Sequence, residues 1–178
     1  MLIRKASESD LSRVADIYAA IHTEEEAGRA RIGWQREIYP TLDTARAAWQ
    51  RDDLFVLEED GSILGAAIIN QIQVDVYGDA PWEYKTGDDA VCVLHTLVVD
   101  PSAGRRGLGM AFVRYYEDYA REHGLMELRM DTNEINHRAR QMYQKLGYRE
   151  IAVVPTVFNG IPNVNLVLLE KHISGKPC

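Results

Sequence analysis

The sequence is poor in cysteine: Cys92 and Cys178 are the only two among 178 residues. One lies inside an apolar run and the other is the last residue, so they make no disulfide framework, and a reduced cytoplasmic setting is expected. Long apolar runs are missing as well. None approaches the roughly 18 residues of a membrane span, and the amino terminus MLIRKASESD has no apolar signal core. The K-P-C ending does not match a prenylation box, whose cysteine stands fourth from the end. No internal repeat, low-complexity tract or linker interrupts the chain. No His/Cys cluster has zinc-ligand spacing, so no metal is expected. No Ser/His/Asp arrangement is readable. Positive charge is in deficit: 20 Lys and Arg stand against 27 Asp and Glu, a net charge of −7. That balance argues against nucleic-acid or anionic-membrane partners, which need a positive field.

What is present fits one globular domain, with 46% hydrophobic and 26% charged residues. The charge is uneven. Residues 1–90 hold 9 basic and 18 acidic side chains, and residues 91–178 hold 11 and 9, so the halves carry −9 and +2. An anionic ligand is expected on the second half and a cationic one near the first.

Periodicity and punctuation give the element order. LIRKA (2–6) reads as a first strand. Ser7 to Asp10 offer cap oxygens to an amphipathic helix carrying Leu11, Val14, Ala15, Tyr18 and Ile21. His22 to Glu26 reads as a solvated charge run. A second helix is expected over about 41–50, after Pro40. LFVLEED (54–60) and SILGAAIINQIQV (62–74) flank Asp60-Gly61, a hairpin signal. Residues 75–89 read as a polar loop, and AVCVLHTLVV (90–99) as a strand buried on both faces. A helix over 110–124, a strand over 125–131, a helix over 136–148 and two last strands joined at Asn159-Gly160 complete the chain. The fold class expected is α/β in the α+β sense: a mixed, mostly antiparallel sheet with helices on both faces, over residues 1–173, with 174–178 as a tail.

Two motifs could carry chemistry. In LVVDPSAGRRGLGMA a buried strand runs into a basic glycine loop and then directly into a helix. Helix amino termini expose unpaired N–H groups and a positive dipole end, which suits phosphate. Gly104, Gly107 and Gly109 allow close backbone approach, and Arg105 and Arg106 add cationic donors. Such loops also serve as plain connections. A Walker loop is excluded because no Gly-Lys-Ser/Thr follows. In NEINHRARQMYQKLGY, Asn136, Ala139, Tyr143 and Gly147 fall along one helix face. Ile135, Ala139, Met142 and Leu146 share that spacing, so Tyr143 reads either as core or as catalytic, and Asn136 either as a cap or as a contact.

The pair, strand–DP–GRRGLG–helix followed by strand–N–x–x–A–x–x–x–Y–x–x–x–G–Y, resembles the GCN5-related N-acetyltransferase superfamily. The element order is similar along essentially the whole chain, and the motifs lie in residues 90–148. The resemblance implies an acyltransferase that uses acetyl-coenzyme A as cosubstrate. It implies that the backbone amides of Arg105, Arg106, Gly107, Leu108, Gly109 and Met110 hold the pyrophosphate, and that Leu97, Val98 and Val99 pair with the pantetheine arm. Asn136 then lies near pantetheine and Tyr143 beside the thioester sulfur. Gly104 stands where the family usually has Arg or Gln, which removes a side chain but no backbone amide. A homodimer is a family-level expectation.

The reaction that this implies needs a neutral amine, charge stabilisation at the acyl oxygen by a backbone N–H near Val98, and a proton for the departing sulfur, which Tyr143 could supply. Asp131 is a candidate base that otherwise reads as a turn carboxylate. His95 is the other candidate; alternation puts it on one strand face with Leu97 and Val99, and it otherwise reads as a core histidine. An ordered water chain is the third account. Trp34, Glu37, Tyr39, Asp75, Glu83 and Tyr84 are candidates for the acceptor pocket. The acceptor is expected to be a primary amine of a small molecule, with a peptide amino terminus as the alternative acceptor and a catalytically silent coenzyme-A-binding regulator as the rival function.

Overall fold

The computed structural model describes residues 1–104 and 106–174. Seven strands, β1 (Leu2–Lys5), β2 (Leu54–Glu59), β3 (Ser62–Asn70), β4 (Val91–Val99), β5 (Glu127–Asn133), β6 (Arg149–Phe158) and β7 (Ile161–His172), form one sheet in the order β1-β2-β3-β4-β5-β7-β6. The β4–β5 pair is parallel and every other pair is antiparallel. Four helices complete it: α1 (Leu11–Glu26), α2 (Leu42–Gln50), α3 (Leu108–Glu122) and α4 (His137–Lys145). The expected mixed sheet is therefore what forms, and among the described residues no helix is long and apolar enough to cross a membrane.

The two helix layers follow from the apolar stripes. α3 turns Phe112, Val113, Tyr116 and Ala120 onto one sheet face, all fully buried, against Cys92, Leu94, Leu128 and Met130. α1 and α2 cover part of the other face with Val14, Ile17, Tyr18, Ala45 and Ala48 against Val56, Ala66, Ile68 and Val98. Each large side chain removed from water in these layers contributes about 1.5–3 kcal/mol. Further along that second face, under β5, β6 and β7, Tyr77 and Trp82 fill the gap. The loop 75–89 is thus less polar in role than in composition. Trp82 donates its indole N–H to the Tyr77 carbonyl at 2.8 Å, and the Arg129 guanidinium stacks on the indole at 4.2 Å.

Three features differ from the sequence expectation. α1 runs on through His22–Glu26. His22 is buried and bonds the Pro40 carbonyl at 2.9 Å, while the Glu25 carboxylate accepts the Ile32 and Gly33 N–H groups at 2.6 and 2.8 Å. The charge run therefore ties down the segment that follows it. β3 stops at Asn70, whose side-chain oxygen accepts the Ile72 N–H at 2.9 Å and turns the chain.

The third difference is in β4. Ala66 pairs with Val98 and Ile68 with His95, so three steps of β4 match two of β3, and Thr96 takes a φ of 51°. This is a β-bulge. Because Ala66 and Ile68 share a face, His95 sides with Val98. The expectation that His95 shares a face with Leu97 and Val99 is corrected: strict alternation fails where one residue is left unpaired.

At the start of α1, Asp10 accepts from Arg4 at 2.8 and 3.2 Å and from the Ser7 N–H at 2.8 Å. Hydrogen bonding to Arg4 outweighs burial and holds the Asp10 carboxyl down at about 2, against an ordinary 3.8. A depressed carboxyl stabilises the fold above its unfolded pKa, and that gain is lost as pH falls from about 4 towards 2. Asp10→Asn should lower unfolding free energy by about 1–2 kcal/mol at neutral pH. In denaturant titrations the gap to the parent protein should close towards pH 2; a gap independent of pH would exclude the ion pair as its source.

Candidate active site

β4 and β5 pair only from Val91↔Glu127 to Leu94↔Met130, although β4 continues to Val99 and β5 to Asn133. The parallel strands therefore diverge just where the bulge begins. Their separation opens a cleft of about 1130 Å³ that passes between the helix layers. Beyond Leu94 the β5-facing edge of β4 has no pairing strand among the described residues.

The cleft gathers most of the residues singled out in the sequence. Leu97, Val98 and Val99 line it from β4, and Arg106, Gly107, Leu108, Gly109 and Met110 line it from the glycine loop and first turn of α3. Asn136 and Tyr143 reach it from α4, Asp131 from β5, His95 from β4, and Trp34 and Tyr39 from the α1–α2 connection. Arg105 lies outside the described residues. Glu37, Asp75, Glu83 and Tyr84 are not brought to the cleft. Glu37 and Asp75 are exposed. Glu83 pairs with Arg149 and gives its N–H to the Glu170 carboxylate, and Tyr84 stacks on His172 at 4.8 Å. These last two fasten the 75–89 loop to β6 and β7.

Local chemistry explains the loop before α3. Asp100 accepts the Ser102 N–H at 2.8 Å and pairs with Arg13, which locks the Asp-Pro turn. Gly107 is the N-cap of α3 with a φ of 77°, a conformation that costs a side-chain-bearing residue energy. A glycine cap brings no side-chain acceptor, so the amides of the first turn of this helix are left without one. Arg106 pairs with Glu59. Asn136 is the N-cap of α4, accepting the Ala139 N–H at 3.2 Å, and its amide also donates to Thr132 at 3.2 Å.

The titratable groups sit in contrasting states. Leu94 and Met130 face the α3 layer, so the next residues, His95 and Asp131, both point to the opposite face at the mouth of the wedge. Burial raises the Asp131 carboxyl from 3.8 to about 6, and the Tyr77 hydroxyl, which donates to it at 2.7 Å, offsets part of that rise. Burial lowers His95 from 6.5 to about 4. Its Nε2 meets the Asn70 side-chain oxygen at 3.0 Å. Tyr143 is pushed well above 10 by burial and by the Asp131 charge, so its phenol keeps its proton. Tyr39 rises to about 12 through burial, with its hydroxyl on Thr96. A proton acceptor and a protonated phenol thus line one wedge.

Several residues of the cleft escaped the sequence reading. Tyr77, the partner of Asp131, is buried beneath it. Arg29, Arg31, Arg51, Asn70, Arg138 and Met142 line the walls. The one local signal for Tyr77 was an aromatic residue inside a polar loop.

Residues 14–148 match the family described as the acetyltransferase (GNAT) family. The chain belongs to this family. Over 101 residues it is 32% identical to aminoglycoside N(6′)-acetyltransferase type 1 of Klebsiella aerogenes, a match covering 57% of this chain and 61% of that protein. Over 94 residues it is 31% identical to human N-acetyltransferase 8, covering 53% of this chain and 41% of the other. The chain thus spans less than two thirds of either relative's length. In structure it resembles the ribosomal-protein-alanine N-acetyltransferase of Brucella melitensis, with a TM-score of 0.72 and 20% identity over 97% of this chain and 100% of that one. At that identity the likeness concerns the GNAT fold.

The depressed basicity of His95 can be read directly. Its imidazole should titrate near pH 4 by NMR and be neutral throughout the range where Asp131 ionises. A midpoint above 6 would mean that the site is wetter than its packing implies.

Proposed function

We propose that residues 1–173 act as one domain that transfers an acetyl group from acetyl-coenzyme A to the primary amine of a small molecule. The observation that carries the reading is that Asp131 of β5 and Tyr143 of α4 both line the β4–β5 wedge, the one a carboxyl that burial raises to about 6 and the other a phenol that burial keeps protonated.

The residues present fit the cosubstrate. The uncapped first turn of α3, with Gly107, Leu108, Gly109 and Met110 on the cleft, suits a pyrophosphate held by backbone N–H groups and a helix dipole. A side chain at Gly109 would press on the Met142 sulfur at 3.2 Å, which fits a turn that must stay bare. The unpaired edge of Leu97, Val98 and Val99 suits an extended arm that takes the place of a strand, and Asn136 stands across the wedge. Acetyl-coenzyme A supplies the activated acyl group as a thioester.

The chain's own groups supply the proton transfers. Asp131 takes the proton that the acceptor nitrogen must lose, directly or through one water. A base at about 6 is poised for this near neutrality, whereas His95 at about 4 is too weak, and this orders the two candidates. Backbone N–H groups on the β4 edge near Val98 meet the charge that develops on the acyl oxygen. Tyr143 gives its proton to the leaving sulfur. The small-molecule reading is supported by the acceptor wall. Trp34 and Tyr39 meet edge to face at 5.9 Å, Tyr39 and Phe158 at 5.7 Å, and all three rings line the cleft.

Free-thiol release from acetyl-coenzyme A tests the base. As the unprotonated carboxylate is the active form, kcat/KM should fall as pH drops below about 6, and Asp131→Asn should remove that limb with a large loss of rate while coenzyme binding persists. If the limb survives in Asp131→Asn and vanishes in His95→Ala, the roles are reversed. If neither variant changes it, a water chain carries the proton.

Tyr143→Phe should lower kcat by about 100-fold with little change in KM for acetyl-coenzyme A; unchanged kcat where chemistry limits the rate would remove the acid role. In calorimetry, Gly107→Val should weaken coenzyme A binding by at least about tenfold and Arg106→Ala by much less. The reverse order would make side-chain charge the anchor.

A further inference from the structure

The acceptor end of the cleft differs in charge from the half of the chain that builds it. Of the residues before 90 that line it, Arg29, Arg31 and Arg51 are basic and only Glu24 is acidic. Both Glu24 oxygens are taken by Arg29, at 2.7 and 2.8 Å, so that pair is neutral. Arg31 has no ion-pair partner among the described residues.

Arg51 is held from behind. Its Nε and one Nη donate to Asp53 at 2.9 and 3.3 Å. Asp53 is 6% exposed, does not line the cleft, and also accepts the Asn70 amide at 2.9 Å. With Asn70 donating to Asp53, its oxygen is the atom facing His95. A continuous chain, Arg51–Asp53–Asn70–His95, therefore runs from α2 to the start of the bulge. The buried carboxylate fixes the fork while about half of the Arg51 side chain stays exposed.

This cation is placed away from the nucleotide end. Along β4, Asn70 stands opposite Val93 and Gly65 opposite Val99, next to the glycine loop. Six residues of strand separate the two ends by roughly 20 Å. Arg51 is thus out of reach of a phosphate on the first turn of α3, but lies on the sheet face where His95 and Asp131 point.

We infer that Arg51 is a carboxylate-recognising residue of the acceptor site, so that the acceptor is an amine that also carries a carboxylate, its nitrogen directed to Asp131 and its anion to the Arg51 N–H groups that Asp53 leaves free. The inference rests on the acetyl-transfer reading above. A planar guanidinium with free N–H groups in a cleft is suited to a carboxylate. A polycationic acceptor would meet Arg31, which has no ion-pair partner among the described residues, and the exposed side of Arg51, whose charge Asp53 offsets from behind. The expectation of a cationic acceptor, drawn from the −9 of residues 1–90, is thereby replaced.

The test uses matched acceptors with acetyl-coenzyme A and the whole chain, reading thiol release. The pairs are 4-aminobutanoate against 1,4-diaminobutane, and amino acids against their carboxamides, with one aminoglycoside added. The carboxylate member of a pair should be preferred in kcat/KM by about 10- to 100-fold, the range of a charge-assisted hydrogen bond. Arg51→Gln should abolish that preference by raising KM for the carboxylate acceptor, leaving KM for acetyl-coenzyme A unchanged, and Arg51→Lys should retain part of it. Equal use of both members, or preference for the diamine, amide or aminoglycoside, overturns the inference and leaves acetyl transfer standing. Should Arg51→Gln fail to fold, the preference of the unaltered protein decides. If no acceptor in the set or any peptide amine releases thiol, the acetyl-transfer reading falls and the inference falls with it.

Discussion

The active-site architecture depends on one irregularity, the unpaired residue at Thr96. A regular β4 would pair with β5 to its end, and the sheet would close over the space that the site needs. Instead, Thr96 adopts a left-handed backbone, the register to β3 slips by one, and β4 leaves β5 after Leu94. A β-branched residue in that conformation is costly, and it persists only when the surroundings hold it. Here the Tyr39 hydroxyl bonds to Thr96, and Val98 is packed under α1 and α2 just beyond it. The strain thus lies between the two halves of the cleft. It exposes a strand edge on one side and sets His95 and Asp131 on the other.

The same burial acts with opposite sign on those two neighbours. Loss of water penalises the charged form of each, so the acid rises and the imidazole falls. The result crosses over: the carboxyl becomes a stronger base than the histidine, the reverse of their order in water. Tyr77 moderates the shift by donating to the Asp131 carboxylate, which offsets part of the rise that burial causes. Tyr143 feels burial and the Asp131 charge in one direction only, and stays protonated. Two titratable groups with well-separated proton affinities are thereby produced by packing, with no metal ligand cluster among the described residues.

Much of this was legible in the chain. Asp60-Gly61 and Asn159-Gly160 marked both hairpins, the apolar run 90–99 marked the central strand, and the glycines at 124 and 147 marked helix ends. Gly107 and Tyr143 belonged to motifs whose local geometry the sequence does encode. The bulge was not legible, because nothing in Leu-His-Thr-Leu distinguishes a slipped register from a regular strand. Nor was the Tyr77–Asp131 bond, whose partners are 54 residues apart. Trp34, Tyr39, Glu83 and Tyr84 were equivalent as loop aromatics and acids. Only the packing of the loops decides that the first two face the cleft while Glu83 and Tyr84 bind Arg149 and His172. Trp34 is brought there because Gly33, at a φ of 82°, lies so close to Asn133 that a Cβ would stand 2.3 Å from its amide nitrogen.

Charge shows the limit of composition most clearly. A sum over 90 residues describes an average surface, but in physiological salt a charge is felt over only about 8–10 Å. Half of the acids of the first half are spent locally in ion pairs, among them Asp10 and Glu58 on Arg4, Glu26 on Arg36 and Asp53 on Arg51. Several of these pairs lie outside the cleft, and Asp53 lies beneath its wall. What remains on the wall is an excess of arginine and one acid, Asp131, that no arginine offsets. Removing that excess of positive charge would let a second cation enter the site. Leaving it in place suits the acceptor anion inferred above, whereas the protonation of Asp131 is governed by burial and the Tyr77 hydroxyl. The sign of the field at the wedge is therefore set by which acids are buried behind their arginines, and acid burial of that kind is a property of the fold that no net charge records.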